Sequence, residues 1–204
     1  MLTVILVRHG ETEWNQLRRL QGGNSNVPLN ENGMRQAEYL ASRLKLEKVE
    51  AIYSSPLRRS VETAQAIAEH HEIGVNLEIA LREIDIGKLE GTLIDDLGKS
   101  FTELLITTSK GEMLPRVPDG ESLSEVQQRA WSVIQRLVSQ HPDGTIVVVS
   151  HYFIILTIIC SALNLPLPQI GRLRVVPGSI STLIFNGQSP RLVLLNDTCH
   201  LSTD

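Results

Sequence analysis

The chain alternates short apolar runs with longer stretches that are apolar on one face only. Residues 2–7 (Leu-Thr-Val-Ile-Leu-Val) form a run suited to a strand covered on both sides. In "LNENGMRQAEYLASRLK", Asn30 is placed to cap a helix, and Ala37, Leu40, Ala41 and Leu44 recur at helical spacing. "VEAIYSS" reads as a second strand. "SPLRRSVETAQAIAEHH" reads as a helix capped by Ser55, with Pro56 at its first position and Leu57, Val61, Ala64 and Ala68 facing inward. Residues 75–79 suit a further strand, and 88–119 is the least regular stretch. In "GESLSEVQQRAWSVIQRLVSQH", Ser122 and Glu125 form a capping-box pattern ahead of the stripe Val126, Ala130, Val133, Ile134 and Leu137. "TIVVVS" predicts a buried strand and the apolar segment after His151 a helix. "STLIFN" and "RLVLLN", joined by "GQSP", predict a hairpin.

Strands alternating with helices predict an α/β fold: a three-layer α/β/α sandwich with a mostly parallel central sheet. A length of 204 residues suits a single domain spanning 1–204, and there is no internal repeat or linker to divide it. The net charge of −4 disfavours nucleic acid as a partner. The N-terminal apolar run lacks a basic segment before it, and "YFIILTIICSALNLP" is too short to span a bilayer, so no membrane partner and a cytoplasmic location are expected. Cys160 and Cys199 lack metal-ligand spacing. Cys160 sits in an apolar run and reads as a core residue. The oligomeric state is not fixed by the sequence, and a homodimer is compatible with it.

Mostly parallel sheets bind ligands just beyond the carboxyl ends of their strands. Arg8-His9 follows the first strand, Ser54-Ser55 follows the second and leads into Arg58, and Ser150-His151 follows "TIVVV". These groups are distant in sequence but share one edge in this architecture. Arginine forks match phosphate oxygens, and a helix N-terminus near Ser55 adds free N–H groups. An anion site, best suited to phosphate, follows. A histidine there could serve as base, ligand or nucleophile. Metal ligation is disfavoured because nearby arginines repel a cation. Taken singly, each group is ordinary: a lone histidine after a strand is often a turn residue, and an Arg58-Arg59 pair is usually a solvated helix face. Their joint placement carries the weight.

"LVRHGETEWN" resembles the signature of the histidine phosphatase superfamily, the phosphoglycerate mutase-like proteins. Further blocks resemble that family in its own order: "RRLQG" with "PLNENGMRQA", "IYSSPLRRSVETA", "LREIDIGKLEG", "PDGESLSEVQQR", "VVVSHYFII" and "LNDTCHL". The resemblance implies a phosphomonoesterase acting on a small phosphomonoester through a phosphohistidine on His9. It implies that Arg8 and Arg58 hold the phosphoryl oxygens and that His151 adds a donor. Asn15, Gln21 and Gly22 would contact substrate, and Glu83 would protonate the leaving alkoxide and later take a proton from water. The Gly10 carbonyl or a neighbour would fix the tautomer of His9. No metal or other cofactor is implied, since arginines and histidines supply the positive charge.

Many relatives carry Gly-Gly where this chain has Tyr152-Phe153, aromatics expected to pack in the core more than to narrow the pocket. Asn26 stands where relatives often carry Asp, a change expected to be structural. The alternatives are a cofactor-dependent phosphoglycerate mutase, a phosphoserine-specific phosphatase and a catalytically inert phospho-ligand binder. Joint presence of the five candidate catalytic residues argues against the last. Substrate contacts are expected from 88–119, and the substrate itself is not legible.

Overall fold

The computed structural model describes residues 1–97, 117, 119–187 and 189–201. Six strands form one sheet: β1 (Leu2–Arg8), β2 (Val49–Ser54), β3 (Val75–Leu77), β4 (Gly144–Ser150), β5 (Ile180–Phe185) and β6 (Arg191–Asp197). Their order is β3-β2-β4-β1-β5-β6. β3, β2, β4 and β1 run parallel. β5 is antiparallel to β1, and β6 returns antiparallel to β5 as the expected hairpin. The sheet is therefore mixed but mostly parallel.

Side chains alternate across a strand, and both faces of this sheet are apolar. Ile5, Val7, Val147 and Val149 pack under α2 (Glu31–Leu44) and α3 (Arg58–Glu69), meeting Leu40, Leu44, Ala64 and Ile67. Leu2, Val4, Leu6, Ile146 and Val148 pack under α4 (Leu123–Gln140) and α5 (Tyr152–Ala162), meeting Val126, Ile134, Ile155 and Ile159. Each such side chain removed from water stabilises the fold by roughly 1.5–3 kcal/mol. The result is the three-layer sandwich expected. Cys160 is a free, fully buried core residue of α5.

The caps explain where the helices start. The Asn30 side chain accepts from the Gly33 N–H at the start of α2. Ser122 and Glu125 make the full capping box of α4. At α3 the expectation is corrected. The helix starts at Arg58, its N-cap Leu57 has no side-chain cap bond, and Asn26 Oδ1 instead accepts from the Arg58 N–H at 2.8 Å. Asn26 is thus structural, as expected. Between residues 87 and 97 the described chain forms 3₁₀ turns at Gly87–Leu89 and Ile94–Leu97. Most of the 88–119 segment expected to contact substrate lies outside the described residues.

Register decides what the carboxyl edge presents. Arg8 lies opposite Ser150, and Ser54 lies opposite Val149. The ends of β1, β4 and β2 therefore stand level, and the residues following them meet.

Candidate active site

His9 leaves β1 with its backbone N–H donating to the Ser150 carbonyl at 3.0 Å. Its ring is 3% exposed, and Nδ1 lies 2.7 Å from the Gly10 carbonyl oxygen. A carbonyl only accepts, so Nδ1 carries the proton and Nε2 keeps its lone pair. Burial first, then the charges of Arg59 and Arg8, holds the imidazole well below its usual pKa; the Gly10 bond opposes this. Gly10 has no room for a side chain, because a Cβ would stand 2.5 Å from the Gly33 carbonyl oxygen at the start of α2. The close approach it permits is that of α2's backbone.

Two arginines flank this histidine. Arg8 donates from Nη1 to the Val175 carbonyl at 2.8 Å and lies 5.2 Å over the Tyr152 ring. Arg59 is fully buried and donates to the carbonyls of Ser25 (2.9 Å) and Gly22 (3.1 Å). Burial lowers each guanidinium to about 10, so both stay charged at neutral pH. The expectation for Arg58 is corrected here. Its side chain is 59% exposed and bonded to Glu62 at 2.7 Å, turned away from the cluster that its neighbour enters.

His151, the N-cap of α5, is fully buried with its ring centroid 5.0 Å from that of His9. Its Nε2 lies 2.7 Å from Ser55 Oγ and 3.3 Å from Ser60 Oγ. A hydroxyl donating to Nε2 leaves Nδ1 as a donor. Burial, followed by Arg59 and His9, keeps this ring also well below its usual pKa. Glu83 is 5% exposed, and its oxygens accept from the Ile84 N–H (2.9 Å) and the Phe153 N–H (3.2 Å). Burial raises its pKa despite these bonds and the two arginines. Arg129 fixes this stretch by donating to the carbonyls of Ala80, Arg82 and Glu83 while paired with Glu121.

Thr12 organises the remaining candidates. It caps α1 (Glu13–Gln16) in a capping box with Asn15, and its hydroxyl lies 2.9 Å from Gln21 Oε1. Asn15 and Gln21 line a cavity of about 350 Å³ together with Arg8, His9 and Glu83. Its outer wall is Arg19, Leu20, Ile94, Tyr152 and Phe153. The two aromatics thus narrow the pocket as well as packing against the core. Arg59 and His151 are not among the lining residues, nor is Gly22. The Gly22 N–H donates to Glu90 and its carbonyl holds Arg59, so it serves the site through that arginine. Buried donors Arg8 Nε, Gln21 Nε2, Arg59 Nε and His151 Nδ1 have no partner within the described protein. An anion placed among them would satisfy these donors. Among the described residues no group of three or more His, Cys, Asp or Glu is placed to hold a metal ion.

Sequence reasoning passed over Arg59, Thr12, Ser55 as a partner of His151, and Arg19. The signal for Arg59 lay in the run Ser60, Thr63, Ala64, Ile67 and Ala68, whose small and apolar side chains share its face of α3.

An α/β sheet that sets a buried, arginine-flanked imidazole beside a protonatable carboxyl defines an oxyanion-binding protein of the phosphoryl-transfer class. The pattern of the histidine phosphatase superfamily (branch 1) matches residues 4–198, and the chain belongs to that superfamily. It is 33% identical over 201 residues to phosphoserine phosphatase 1 of Hydrogenobacter thermophilus, covering 98% of this chain and 95% of the relative. It is 38% identical over 192 residues to a protein named "Probable phosphoglycerate mutase GpmB" from Cronobacter sakazakii, covering 94% and 88%. A solved mutant of phosphoserine phosphatase from Entamoeba histolytica in complex with phosphoserine superposes with a TM-score of 0.89 at 33% identity, covering 99% of this chain and all of that one.

Proposed function

We propose that the protein is a phosphomonoesterase that hydrolyses a small phosphorylated metabolite through a phosphohistidine on His9. One observation carries the reading: an imidazole whose Nδ1–H is tied to Gly10, with Nε2 free, lies beside two buried cations and a carboxyl whose pKa is raised by burial.

The chemistry follows from these groups. Nε2 attacks phosphorus, an N–P bond forms and the ester P–O bond breaks. Arg8, Arg59 and His151 hold the non-bridging oxygens, aided by Asn15 and Gln21, and offset their charge in the transition state. Glu83 delivers its proton to the leaving alkoxide. It then takes a proton from the water that attacks the phosphohistidine, which releases inorganic phosphate and restores His9. The low pKa of His9 keeps its lone pair available at neutral pH, and the raised pKa of Glu83 makes it a readier proton donor than an ordinary carboxyl.

The mutase reading draws on the similarity to the GpmB protein. Both readings need His9, but a mutase returns the phosphoryl group to the substrate. The test is a phosphomonoester panel with phosphate release as readout, run after exhaustive EDTA treatment. An acid-labile, alkali-stable phosphoenzyme and net phosphate release are expected. A strict need for added divalent metal, or 3- to 2-phosphoglycerate flux exceeding phosphate release, would overturn the reading.

A further inference from the structure

The phosphate end of the cavity already has its donors. Arg19 is a further cation outside that set. It lines the outer wall of the same cavity. Its backbone pairs with Leu93 across an isolated bridge, and its Nη1 donates to the Gly91 carbonyl at 2.7 Å. Several arginines are neutralised, Arg18 by Asp95, Arg43 by Glu47, Arg58 by Glu62 and Arg136 by Glu78, whereas Arg19 is set apart from the remaining exposed arginines by lining this cavity. Arg19 has no carboxylate within ion-pairing distance among the described residues. With Nη1 committed to Gly91, the Nε–Nη2 edge of the guanidinium is left over. That edge presents two parallel N–H groups spaced for the two oxygens of a carboxylate.

We infer that Arg19 is a specificity-determining residue that grips a carboxylate on the leaving alcohol, so that the substrate class is the phosphomonoester of a small hydroxy acid. The inference rests on the phosphatase reading. A tethered fork loses little freedom on binding, so its contribution to selectivity is not consumed in ordering the side chain. Leu20, Ile94, Tyr152 and Phe153 line the same cavity and give the pair a largely apolar surround. Arg174, exposed nearby, adds to the positive field felt by Arg8 and Tyr152. A cavity of about 350 Å³ must hold the phosphoryl group as well as the alcohol. This is near the small end of ligand pockets, so the acid is small.

The experiment uses the purified full chain and two substrate pairs that differ by a carboxylate. These are 3-phosphoglycerate against glycerol 3-phosphate, and O-phosphoserine against phosphoethanolamine. The readout is the ratio of kcat/KM within each pair. The wild type should favour the acid in at least one pair. Arg19→Ala should cut that ratio by about 10- to 100-fold, the range for a lost hydrogen bond to a charged group. Arg19→Lys, which keeps charge without the fork, should restore part of it. If Arg19 only tethers the Gly91 loop, Arg19→Ala slows both members of a pair together; an unmoved ratio overturns the inference. So does a wild type that hydrolyses p-nitrophenyl phosphate but shows no preference for either acid. A wild type that releases phosphate from no ester at all and forms no phosphohistidine defeats the phosphatase reading, and this inference with it.

Discussion

The inner end of the cavity and its mouth are built on different principles. The inner end hangs from β1, β2 and β4, whose termini are level because the ladder register makes them so. His9 and Glu83 line it, with Arg59 and His151 buried beside His9. The mouth is made from loops. Arg19 and Leu20 are stitched to residues 91–93 by a single bridge and a few backbone bonds, such as Leu20 N–H to the Thr92 carbonyl at 2.9 Å. A sheet edge cannot shift one residue without displacing a core, whereas a loop pair can. The reaction is therefore tied to the fold, and the choice of leaving group to segments that can change without cost to the core.

The largest effect expected at the inner end is that of His9→Ala. With no nucleophile, kcat should fall by about 10⁴-fold or more, and the phosphoenzyme should vanish. Rapid-quench labelling and circular dichroism check this, the second because the core does not depend on the ring. Turnover near wild type would break the contrast at its strongest point.

Glu83→Gln should cost about 10²- to 10⁴-fold on an alkyl phosphate. The loss should be much smaller on p-nitrophenyl phosphate, whose leaving group needs little protonation. The alkaline limb of the kcat/KM profile, set by Glu83 losing its proton, should flatten in the variant. Equal losses on both esters would remove Glu83 from the acid role.

Arg59→Ala against Arg58→Ala sharpens the comparison within two adjacent residues. Arg59→Ala removes a buried cation and strands the carbonyls of Ser25 and Gly22. A loss of about 10²- to 10³-fold in kcat is expected, together with roughly 1–3 kcal/mol of stability. Arg58→Ala gives up an exposed i,i+4 ion pair worth about 0.3–0.5 kcal/mol, and its activity should stay within about two-fold of wild type. Steady-state kinetics and urea melts on both variants decide it. A reversal of the two would return Arg58 to the site.

The smallest effect is in pH dependence. His9 and His151 have folded pKa values well below the ordinary 6.5, so the unfolded chain binds more protons as pH falls through that value. Stability should drop on acidification below about pH 6.5, by at most about 1.4 kcal/mol per pH unit for each ring. Glu83 has the opposite sign: its raised pKa gives stability that is lost as pH rises above its unfolded value near 4.5. Thermal melts from pH 8 to 5 should slope less steeply in His9→Ala than in wild type. Identical slopes would show that the buried imidazoles are not held neutral.

Much of this arrangement was legible because local chemistry determined it. Asn30 and Ser122 capped their helices where their side chains pointed to a start. His9 and His151 followed apolar runs that could only be buried strands. Arg58 was taken from a block with two adjacent arginines, while the inner face expected for the helix was largely right, with Leu57, Ala64 and Ala68 buried. Each residue turns a helix by about 100°, so a one-residue choice separates a solvated guanidinium from a buried one. The stabilising partner of the start of α3, Asn26, is remote in sequence. Thr12 linking Asn15 to Gln21, and Arg19 facing the cavity, are likewise tertiary facts that no local pattern carries. Tyr152 and Phe153 do both things weighed for them, since a residue after a strand end faces the core and the cavity at once.

The buried donors Arg8 Nε, Gln21 Nε2, Arg59 Nε and His151 Nδ1 have no partner within the described protein, so an anion that accepts from them would satisfy them on binding. An anion that satisfies them is a folding ligand as well as a substrate: at a hundred-fold excess over its Kd it would add about 2.7 kcal/mol. Resistance to proteases, and hence lifetime in a cell, would then rise with the supply of phosphorylated metabolite.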